Sequence, residues 1–403
     1  MTACRCCSSE KLVPVLDLGI QPWGNDFIRM EEGRESARYP LVLSVCEVCT
    51  MAQIGYTVPK EIMFREHNYV SGTTRQLRTH FEGVGQEILA RVPFGPDEYI
   101  LDIGGNDGTF LVPLRDRGVN VLNVESATLQ AELSHRKGLR TLNTFFDLPT
   151  AREIRQQCGP ARVIHGAGVF FHLEELHSAF AGIKELLHPE GWVVAEFIYL
   201  PTMIESCAFD QIYHEHLVYY TIRSFNELLT RHGLRIADAD LRPIHGGSCV
   251  AWITHEGRVT ETPAVRELLR HEDAQGFGGL EVYRRFAERV DDLRTTLVDA
   301  VRALRREGKR IQALGAPVKG STIINYCGFT HEDIECAVEI NEFKIGTYYP
   351  GTRIPVRHQD AVPPPDVYLL LAWNFKDEIL GKLASFRANG GRVLVPIPTP
   401  VLI

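Results

Sequence analysis

The fold is decided by a short apolar strand that runs into a glycine-rich turn, Glu98-Tyr99-Ile100-Leu101-Asp102-Ile103-Gly104-Gly105-Asn106-Asp107-Gly108-Thr109-Phe110. A strand that ends in an acidic residue and glycines before a helix lets the backbone approach a ligand at the strand's carboxyl end. The next strand, residues 119–124, ends in Glu125, where a carboxylate can accept both hydroxyls of a ribose. The stretch therefore predicts a doubly wound α/β sheet that binds a nucleotide-type cofactor.

The spacing of the turn discriminates between two cofactors. It resembles the first motif of class I S-adenosylmethionine (SAM) methyltransferases, and it lacks the third glycine of the G-x-G-x-x-G turn that holds a pyrophosphate in dinucleotide folds. The acid on the second strand does not discriminate, because NAD enzymes place one there too. The pattern favours SAM over NAD, and the predicted cofactor-binding residues are Asp102, Gly104, Asn106, Gly108 and Glu125.

Strands and helices alternate downstream of the turn, as a doubly wound sheet requires. Strand 161–166 opens onto a loop that reaches His172, which places an imidazole at a strand's carboxyl end. After strand 192–198 and a helix at 222–232, residues 243–250 lead into an antiparallel strand. His245, just before that strand, is either a site residue or a turn residue.

Proton-transfer groups are concentrated in one stretch of this region, Tyr213-His214-Glu215-His216-Leu217-Val218-Tyr219-Tyr220-Thr221. Two imidazoles, a carboxylate and three phenols within nine residues exceed what an ordinary core segment needs. A polar surface turn with aromatic anchors would show a similar composition. Its place beside a nucleotide fold favours catalysis, because a general base is expected to project there.

Two C-x-x-C pairs near the N-terminus predict a metal site. Cys4, Cys7, Cys46 and Cys49 supply thiolates at the spacing that tetrahedral zinc requires, and Cys6 is spare. Four closed ligands leave no coordination position for a substrate, so the zinc is expected to be structural. The alternative is a set of unrelated buried cysteines. Between the pairs lies a turn-rich segment with an exposed-looking Trp23.

Composition limits the classes of protein to consider. A chain of 403 residues suggests two or three domains, and 44% apolar with 23% charged residues is typical of a globular protein. The net charge of -8 argues against nucleic-acid binding through a basic surface. We expect no membrane span and no signal segment, hence a cytoplasmic protein in which the ten cysteines stay reduced.

The last part of the chain predicts a second Rossmann-like sheet. A long amphipathic helix spans 280–306, and strand 310–314 leads into a glycine-bounded turn, 315–320, with Lys319 at the start of a helix. Such a turn offers backbone N–H groups and a cation to a phosphate, although its spacing is not that of a Walker loop. Strands at 334–339, 367–372 and 392–396 complete the sheet.

Together these motifs resemble one family, the three-domain C-methyltransferases that act on nucleotide-linked 4-keto-deoxysugars, and the resemblance covers essentially the whole chain. The motifs that carry it, in order, are the two cysteine pairs, Asn106-Asp107-Gly108-Thr109, Tyr213-His214-Glu215-His216, His245-Gly246-Gly247-Ser248, Gly315-Ala316-Pro317-Val318-Lys319-Gly320, Asn325-Tyr326-Cys327-Gly328, Tyr349-Pro350-Gly351 and Leu371-Ala372-Trp373-Asn374. The resemblance implies a zinc-binding module (1–66), a class I methyltransferase domain (67–255) and a C-terminal Rossmann-like domain (256–403) that helps to hold the nucleotide-sugar.

The resemblance also implies roles for residues. His216 is the expected base, Glu215 and Tyr213 orient it or hold the enolate oxygen, and His172 and Tyr69 complete the pocket. Lys319, His245 and Asn341 are the expected substrate-binding residues. The product is methylated at C-3 or C-5 of the sugar, in deoxysugar or antibiotic biosynthesis, and a monomer is expected to suffice.

Three alternatives stay open on the sequence. One is a methyltransferase whose acceptor is oxygen or nitrogen, which needs no enolate-stabilising cluster. A second is a zinc-containing protein that binds nucleotide or SAM without turnover. A third is an enzyme of the same fold that uses the bound sulfonium without transferring its methyl group.

Overall fold

The computed structural model describes residues 3–64, 70–73, 75–244 and 246–403, except the side chain of Thr73. The predictions for Tyr69 and His245 therefore concern residues outside the described ranges. The N-terminal part contains β1 (Leu12–Pro22), β2 (Ile28–Arg29), β3 (Arg38–Cys46), β4 (Ala52–Ile54) and α1 (Lys60–Phe64).

The N-terminal module is built on an antiparallel hairpin. Strands β1 and β3 pair from Leu12 opposite Cys46 at one end to Pro22 opposite Arg38 at the other. The first end lies beside the cysteine pairs. Residues 23–37 connect the strands at the second end, so the length of the hairpin separates this connection from the predicted metal site.

The middle of the chain forms an α/β sheet. Its elements after a 3-10 turn at Ser71–Thr73 are α2 (Arg75–Arg91), β5 (Tyr99–Ile103), α3 (Leu111–Arg115), β6 (Asn120–Val124), α4 (Thr128–Arg136), β7 (Thr141–Leu142), α5 (Leu148–Cys158), β8 (Ala161–Ala167), α6 (Leu176–Leu186), β9 (Leu187–Ile198), α7 (Leu200–Glu205), β10 (Val218–Tyr219), α8 (Ile222–Thr230), β11 (Leu234–Arg242) and β12 (Ser248–His255).

The strand order of this sheet is β11-β12-β9-β8-β5-β6-β7. Strands β9, β8, β5, β6 and β7 run parallel, whereas β12 is antiparallel to both neighbours. The order reverses between β5 and β8, so the carboxyl ends of these strands open a crevice at the switch point. The class I arrangement predicted from the turn after β5 is confirmed.

The predicted periodicities match the observed burial. All of β5 is buried, as expected for a central parallel strand. Helix α2 buries Leu77, Phe81, Val84 and Ile88 at helical spacing. The antiparallel strand expected from residue 243 is found at β12, and its partner β11 was not predicted. Strand β11 alternates short apolar and charged residues, Leu-Arg-Ile-Ala-Asp-Ala-Asp-Leu-Arg, which gives a weak strand signal.

The C-terminal part forms a second α/β sheet. Its elements are α9 (Pro263–Gln275), α10 (Glu281–Arg306), β13 (Ile311–Leu314), α11 (Val318–Cys327), β14 (Ala337–Glu339), β15 (Thr347–Tyr348), β16 (Val356–His358), β17 (Val367–Leu370), α12 (Lys376–Lys382), α13 (Ala384–Ala388), β18 (Arg392–Val395) and β19 (Val401–Leu402). The sheet order is β16-β14-β13-β17-β18-β19. All pairs are parallel except β18 with β19, which agrees with the predicted second Rossmann-like sheet.

The N-terminal module forms strand pairs with both later parts of the chain. Strand β10 pairs with β4, and β15 pairs with β2. The catalytic stretch predicted around residue 216 ends in β10, so the N-terminal sheet holds it directly. No described helix is both long and apolar enough to cross a bilayer.

Candidate active site

The turn after β5 is shaped by backbone hydrogen bonds to one carboxylate. The backbone N–H of Asn106 donates to Glu125 Oε2 at 2.8 Å, and that of Ala127 donates to Oε1 at 2.7 Å. Gly104 has φ +66 and Asn106 has φ +52, so the chain reverses tightly above the strand. A Cβ on Gly108 would lie 2.1 Å from Leu139 Cδ1. Gly108 therefore has no room for a side chain because Leu139 packs on it, and the half-exposed part of the turn is Gly104 to Asn106.

Asp102 lies beneath this turn. It is 2% exposed, and its Oδ1 lies 2.7 Å from His165 Nδ1. A Cβ on Gly105 would lie 2.6 Å from Asp102 Oδ2, so the carboxylate supports the turn from the sheet side. Above the turn, the N–H of Ser71 donates to Asn106 Oδ1 at 3.0 Å.

The orientation of His216 is set by its own chain. Its Nδ1 lies 2.7 Å from the carbonyl oxygen of Gln211, and the residue is 3% exposed. A carbonyl only accepts, so Nδ1 carries the hydrogen and Nε2 of the neutral imidazole keeps its lone pair. This is the tautomer that a general base requires.

Aromatic rings fix His216 from three sides. The ring of Tyr213 lies 3.9 Å from it between centroids, Phe171 lies 4.5 Å away, and His172 lies 5.1 Å away. His172 donates through Nδ1 to the carbonyl oxygen of Glu215 at 2.5 Å. The structure thus brings together the predicted residues His172, Tyr213, Glu215 and His216.

The carboxylate of Glu215 is held from another module. Its Oε1 accepts from Trp23 Nε1 at 2.8 Å and from Asn25 Nδ2 at 2.7 Å. Sequence reasoning missed both residues and described Trp23 as exposed-looking, whereas it is half-buried. Trp23 and Glu215 are 192 positions apart, and no spacing pattern links them.

The side chain of His214 is directed towards the N-terminal module. Its Nε2 lies 3.3 Å from the carbonyl oxygen of Pro40, and its ring stacks edge-on near Tyr39. Burial lowers the pKa of His214. Within the Tyr213–His216 run, the two middle side chains, His214 and Glu215, therefore contact the N-terminal module, while the rings of Tyr213 and His216 pack on each other.

The C-terminal sheet meets the catalytic stretch through a buried polar cluster. Asp210 accepts from Trp373 Nε1 at 2.6 Å and lies 3.8 Å from Lys319 Nζ. Lys319 donates to Asn374 at 2.7 Å and lies 4.3 Å from the Trp373 ring centroid. Burial raises the pKa of Asp210 and lowers that of Lys319. Lys319 thus lies near Asp210, which directly precedes Gln211, the residue whose carbonyl orients His216.

Asn341 lies in the turn that follows β14. Its backbone N–H donates to Glu339 Oε1 at 3.1 Å, and its side chain accepts from the N–H of Phe343. The structure therefore places Asn341 at the carboxyl end of the second sheet, on the same edge as Lys319.

The predicted metal ligands converge. One sulfur atom from each of Cys4, Cys7, Cys46 and Cys49 lies within 4.8 Å of the others. The Cys4–Cys49 and Cys7–Cys46 sulfur pairs are 3.5 Å apart, near the roughly 3.8 Å edge of a tetrahedron with zinc–sulfur bonds of about 2.3 Å. Cys6 is buried beside them as the spare thiol. The donor set fits a structural zinc ion.

Sequence comparisons place known families along the chain. A zinc binding domain matches residues 4–64, a methyltransferase domain matches 74–239, and a C-methyltransferase C-terminal domain matches 243–398. The C-methyltransferase NovU of Streptomyces niveus is 32% identical over 409 residues, with 99% of this chain and 96% of NovU covered.

Two solved methyltransferase structures each overlap part of the chain. Magnesium protoporphyrin IX methyltransferase of Synechocystis PCC 6803, with bound SAH, is 14% identical and covers 44% of this chain and 83% of its own, with a TM-score of 0.35. The CcbJ methyltransferase of Streptomyces caelestis is 12% identical, and the match covers 44% of this chain and 90% of CcbJ, with a TM-score of 0.34.

NovU extends over nearly the whole chain and is alike in sequence throughout, and the three domain families follow one another in the expected order. The chain therefore belongs to the family of SAM-dependent, zinc-containing C-methyltransferases that includes NovU.

Proposed function

We propose that this enzyme methylates the carbon next to the ketone of a nucleotide-linked 4-keto-deoxysugar, at C-3 or C-5, in deoxysugar or antibiotic biosynthesis. The observation that carries the proposal is the tautomer of His216. Its Nδ1–H is committed to the Gln211 carbonyl, so Nε2 is the basic atom. Carbon becomes a nucleophile only after loss of a proton, which requires such a base.

His216 removes the proton, and the groups around it stabilise the enolate that forms. A buried base is effective because water does not compete for its lone pair. Tyr213 lies against the imidazole, and its phenol is the proposed donor to the enolate oxygen. His172 and Glu215 complete the pocket, and Tyr69 is proposed as a further pocket residue. SAM, when bound, supplies an already activated methyl group.

The cofactor is proposed to lie on the turn after β5. Gly104 and Gly108 allow the backbone to approach it, Asn106 and Glu125 line the crevice, and Asp102 supports the turn from below. Glu125 supports this assignment because it stands at the end of the neighbouring strand, where a carboxylate meets a ribose.

The nucleotide-sugar is proposed to lie between the catalytic stretch and the C-terminal sheet. Lys319 and Asn341 stand at the carboxyl ends of its strands, and His245 is proposed as a third binding residue. We propose the division 1–66, 67–255 and 256–403, with the active site completed by one chain. A monomer working in the cytoplasm is then sufficient.

The decisive experiment follows the methyl group and the proton separately. Methyl-labelled SAM is incubated with nucleotide-linked 4-keto-6-deoxysugars, and exchange of the sugar proton with deuterated water is measured without SAM. We expect label on carbon in the wild type. For His216→Asn we expect both reactions to fall by at least about a hundredfold, as for loss of a general base.

His271→Asn is the matched control, because His271 is an exposed histidine paired with Glu205. Both reactions should stay near wild type in this variant. Label on oxygen or nitrogen, or unchanged proton exchange in His216→Asn, would contradict the proposal.

A further inference from the structure

The segment of residues 23–27, here called the strap, brings the N-terminal module to the catalytic stretch. Trp23 and Asn25 both donate to the same oxygen of Glu215, at 2.8 and 2.7 Å. Glu215 is 3% exposed. A buried carboxylate needs such donors, because removal from water otherwise destabilises its charged form strongly.

The strap is held in place by the C-terminal sheet on its other side. A Cβ on Gly24 would lie 2.8 Å from Val318 Cγ1, so only glycine fits there without a shift. The ring of Phe27 lies 5.6 Å from that of Tyr349, and Lys344 Nζ lies 4.7 Å from the Phe27 ring centroid. The strap therefore lies between the C-terminal part of the chain and Glu215.

A cation lies beside the strap, since Lys344 Nζ sits over the ring of Phe27. Burial lowers the pKa of Lys344, while the carboxylates of Glu339 and Glu215 act in the opposite direction and favour its ammonium form. Lys344 also donates to the carbonyl oxygen of Ala316 at 2.8 Å. A cation near Glu215 in a site with little water stabilises the carboxylate further.

We propose that Trp23 and Asn25 are positioning residues for methyl transfer, and that they act through Glu215. They fix the side chain of Glu215, whose backbone carbonyl accepts from His172 and whose neighbour in the chain is His216, so the zinc-containing module completes the active site of the neighbouring domain. The inference rests on the proposed function in so far as Glu215 acts in the reaction.

A packing role alone would give the same contacts, so the test must separate the two. The first measurement needs no sugar. Indole N–H resonances of the ¹⁵N-labelled, zinc-loaded full chain are recorded, and that of Trp23 is identified by its loss in Trp23→Phe. We expect Glu215→Gln to shift the Trp23 resonance alone, because a neutral amide replaces a charged acceptor. An unmoved Trp23 resonance would overturn the proposed contact.

The second measurement is a double-mutant cycle on kcat. Trp23→Phe keeps an aromatic ring and removes the donor, and we expect about a tenfold loss of kcat, since a bond to a charged group is lost. In the Glu215→Gln background the same substitution should cost about threefold, because bonds to neutral acceptors are about half as strong. KM for the sugar and SAM affinity should stay near wild type.

Asn25→Ala should behave in the same way, and Trp192→Phe is the control because Trp192 packs against Trp252 on the outer side of the first sheet. A tenfold loss in both backgrounds would overturn the inference and leave Trp23 as a packing or substrate-contact residue. Failure of the wild type to methylate any sugar would overturn the proposed function instead, and the indole measurement would still decide the contact.

Discussion

The turn after β5 and the turn after β13 each donate a backbone N–H to a glutamate on the neighbouring strand. Asn106 N lies 2.8 Å from Glu125 Oε2, and Ala316 N lies 2.8 Å from Glu339 Oε2. Both turns begin with a glycine of positive φ, Gly104 and Gly315, and both lead into a helix. The two turns therefore have the same local structure.

What covers each turn is different. After β13, Lys344 donates to the Ala316 carbonyl and Tyr349 donates to the Pro317 carbonyl at 2.6 Å, while Gly24 packs on Val318. After β5, Gly104 and Asn106 are half-exposed, as is Gly315 in the other turn, and Ser71 and Glu125 of the same domain bind the turn. The first turn is held from within its own domain, whereas the second turn is a joint between parts of the protein. A strand, a turn and a helix therefore form the same local structure in both sheets, but they do not determine what binds to it.

Removal of zinc should have the largest effect, and it should act on the second turn only. Because the metal organises the N-terminal module, we expect its loss to release the strap and to lower methyl transfer at least about a hundredfold. SAM affinity should change less than about threefold. Hydrogen exchange by mass spectrometry should show faster exchange at 315–320 and unchanged exchange at 104–108.

Cys49→Ser tests the same point genetically, and Cys158→Ser is its control because Cys158 ends α5, outside the metal cluster. A loss of SAM affinity in Cys49→Ser as large as its loss of methyl transfer would show that the turn after β5 also depends on the N-terminal module.

The paired substitutions Glu125→Gln and Glu339→Gln compare the turns directly. Each keeps the shape of the side chain and weakens two or more hydrogen bonds from backbone N–H groups. We expect Glu125→Gln to weaken SAM binding by roughly ten- to a hundredfold in calorimetry. Glu339→Gln should leave SAM binding within about twofold and lower Tm by a few degrees. The reverse pattern would place the cofactor on the second sheet.

Tyr349→Phe should weaken the contacts of the turn after β13 and leave the turn after β5 unchanged. Burial raises the pKa of Tyr349, so its hydroxyl stays a donor to Pro317. Without it the Pro317 carbonyl keeps the hydrogen bond from the Gly320 N–H but loses the one from the phenol, so we expect a loss of about 1 kcal/mol in the free energy of unfolding by urea. Tyr368→Phe is the control, because the Tyr368 hydroxyl has no hydrogen-bond partner among the described residues. Equal losses in the two variants would argue against the Pro317 contact.

The smallest effect concerns pH. Burial lowers the pKa of His214 in the folded protein, so between its ordinary value of about 6.5 and the folded value only the unfolded chain binds the proton. Stability therefore falls as pH falls through this window. His214→Asn should make that slope shallower by up to about 1.4 kcal/mol per pH unit, measured by urea unfolding from pH 7 to 5. An unchanged slope in His214→Asn would refute the assignment.

Local patterns were sufficient to predict most of the two sheets. The apolar run of β5, the glycine turn and the acid on β6 fixed the class I sheet, because strand period and turn chemistry act over a few residues. The cysteine pairs fixed the metal cluster for the same reason. Helix α9 was not predicted, since its large apolar residues, Val265, Leu268 and Leu269, span little more than one helical turn.

The contacts that complete the site were beyond sequence reasoning. Trp23 meets Glu215 across 192 positions, and Trp373 meets Asp210 across 163. Each pair joins separate parts of the fold, so neither residue follows a local period. Lys319 was expected as a phosphate ligand from its turn, and only the structure shows its neighbours Asp210 and Asn374.

The pairing of β2 with β15 sets an order in time for the new chain on the ribosome. Beside this pairing, the Arg29 guanidinium binds the carbonyl oxygen of Ile345, 316 residues further along the chain. At about 5–20 residues per second, the N-terminal module waits roughly 15–60 s for its last partner. The part that is synthesised first is therefore finished last, and the strap stays exposed to chaperones and proteases during that interval.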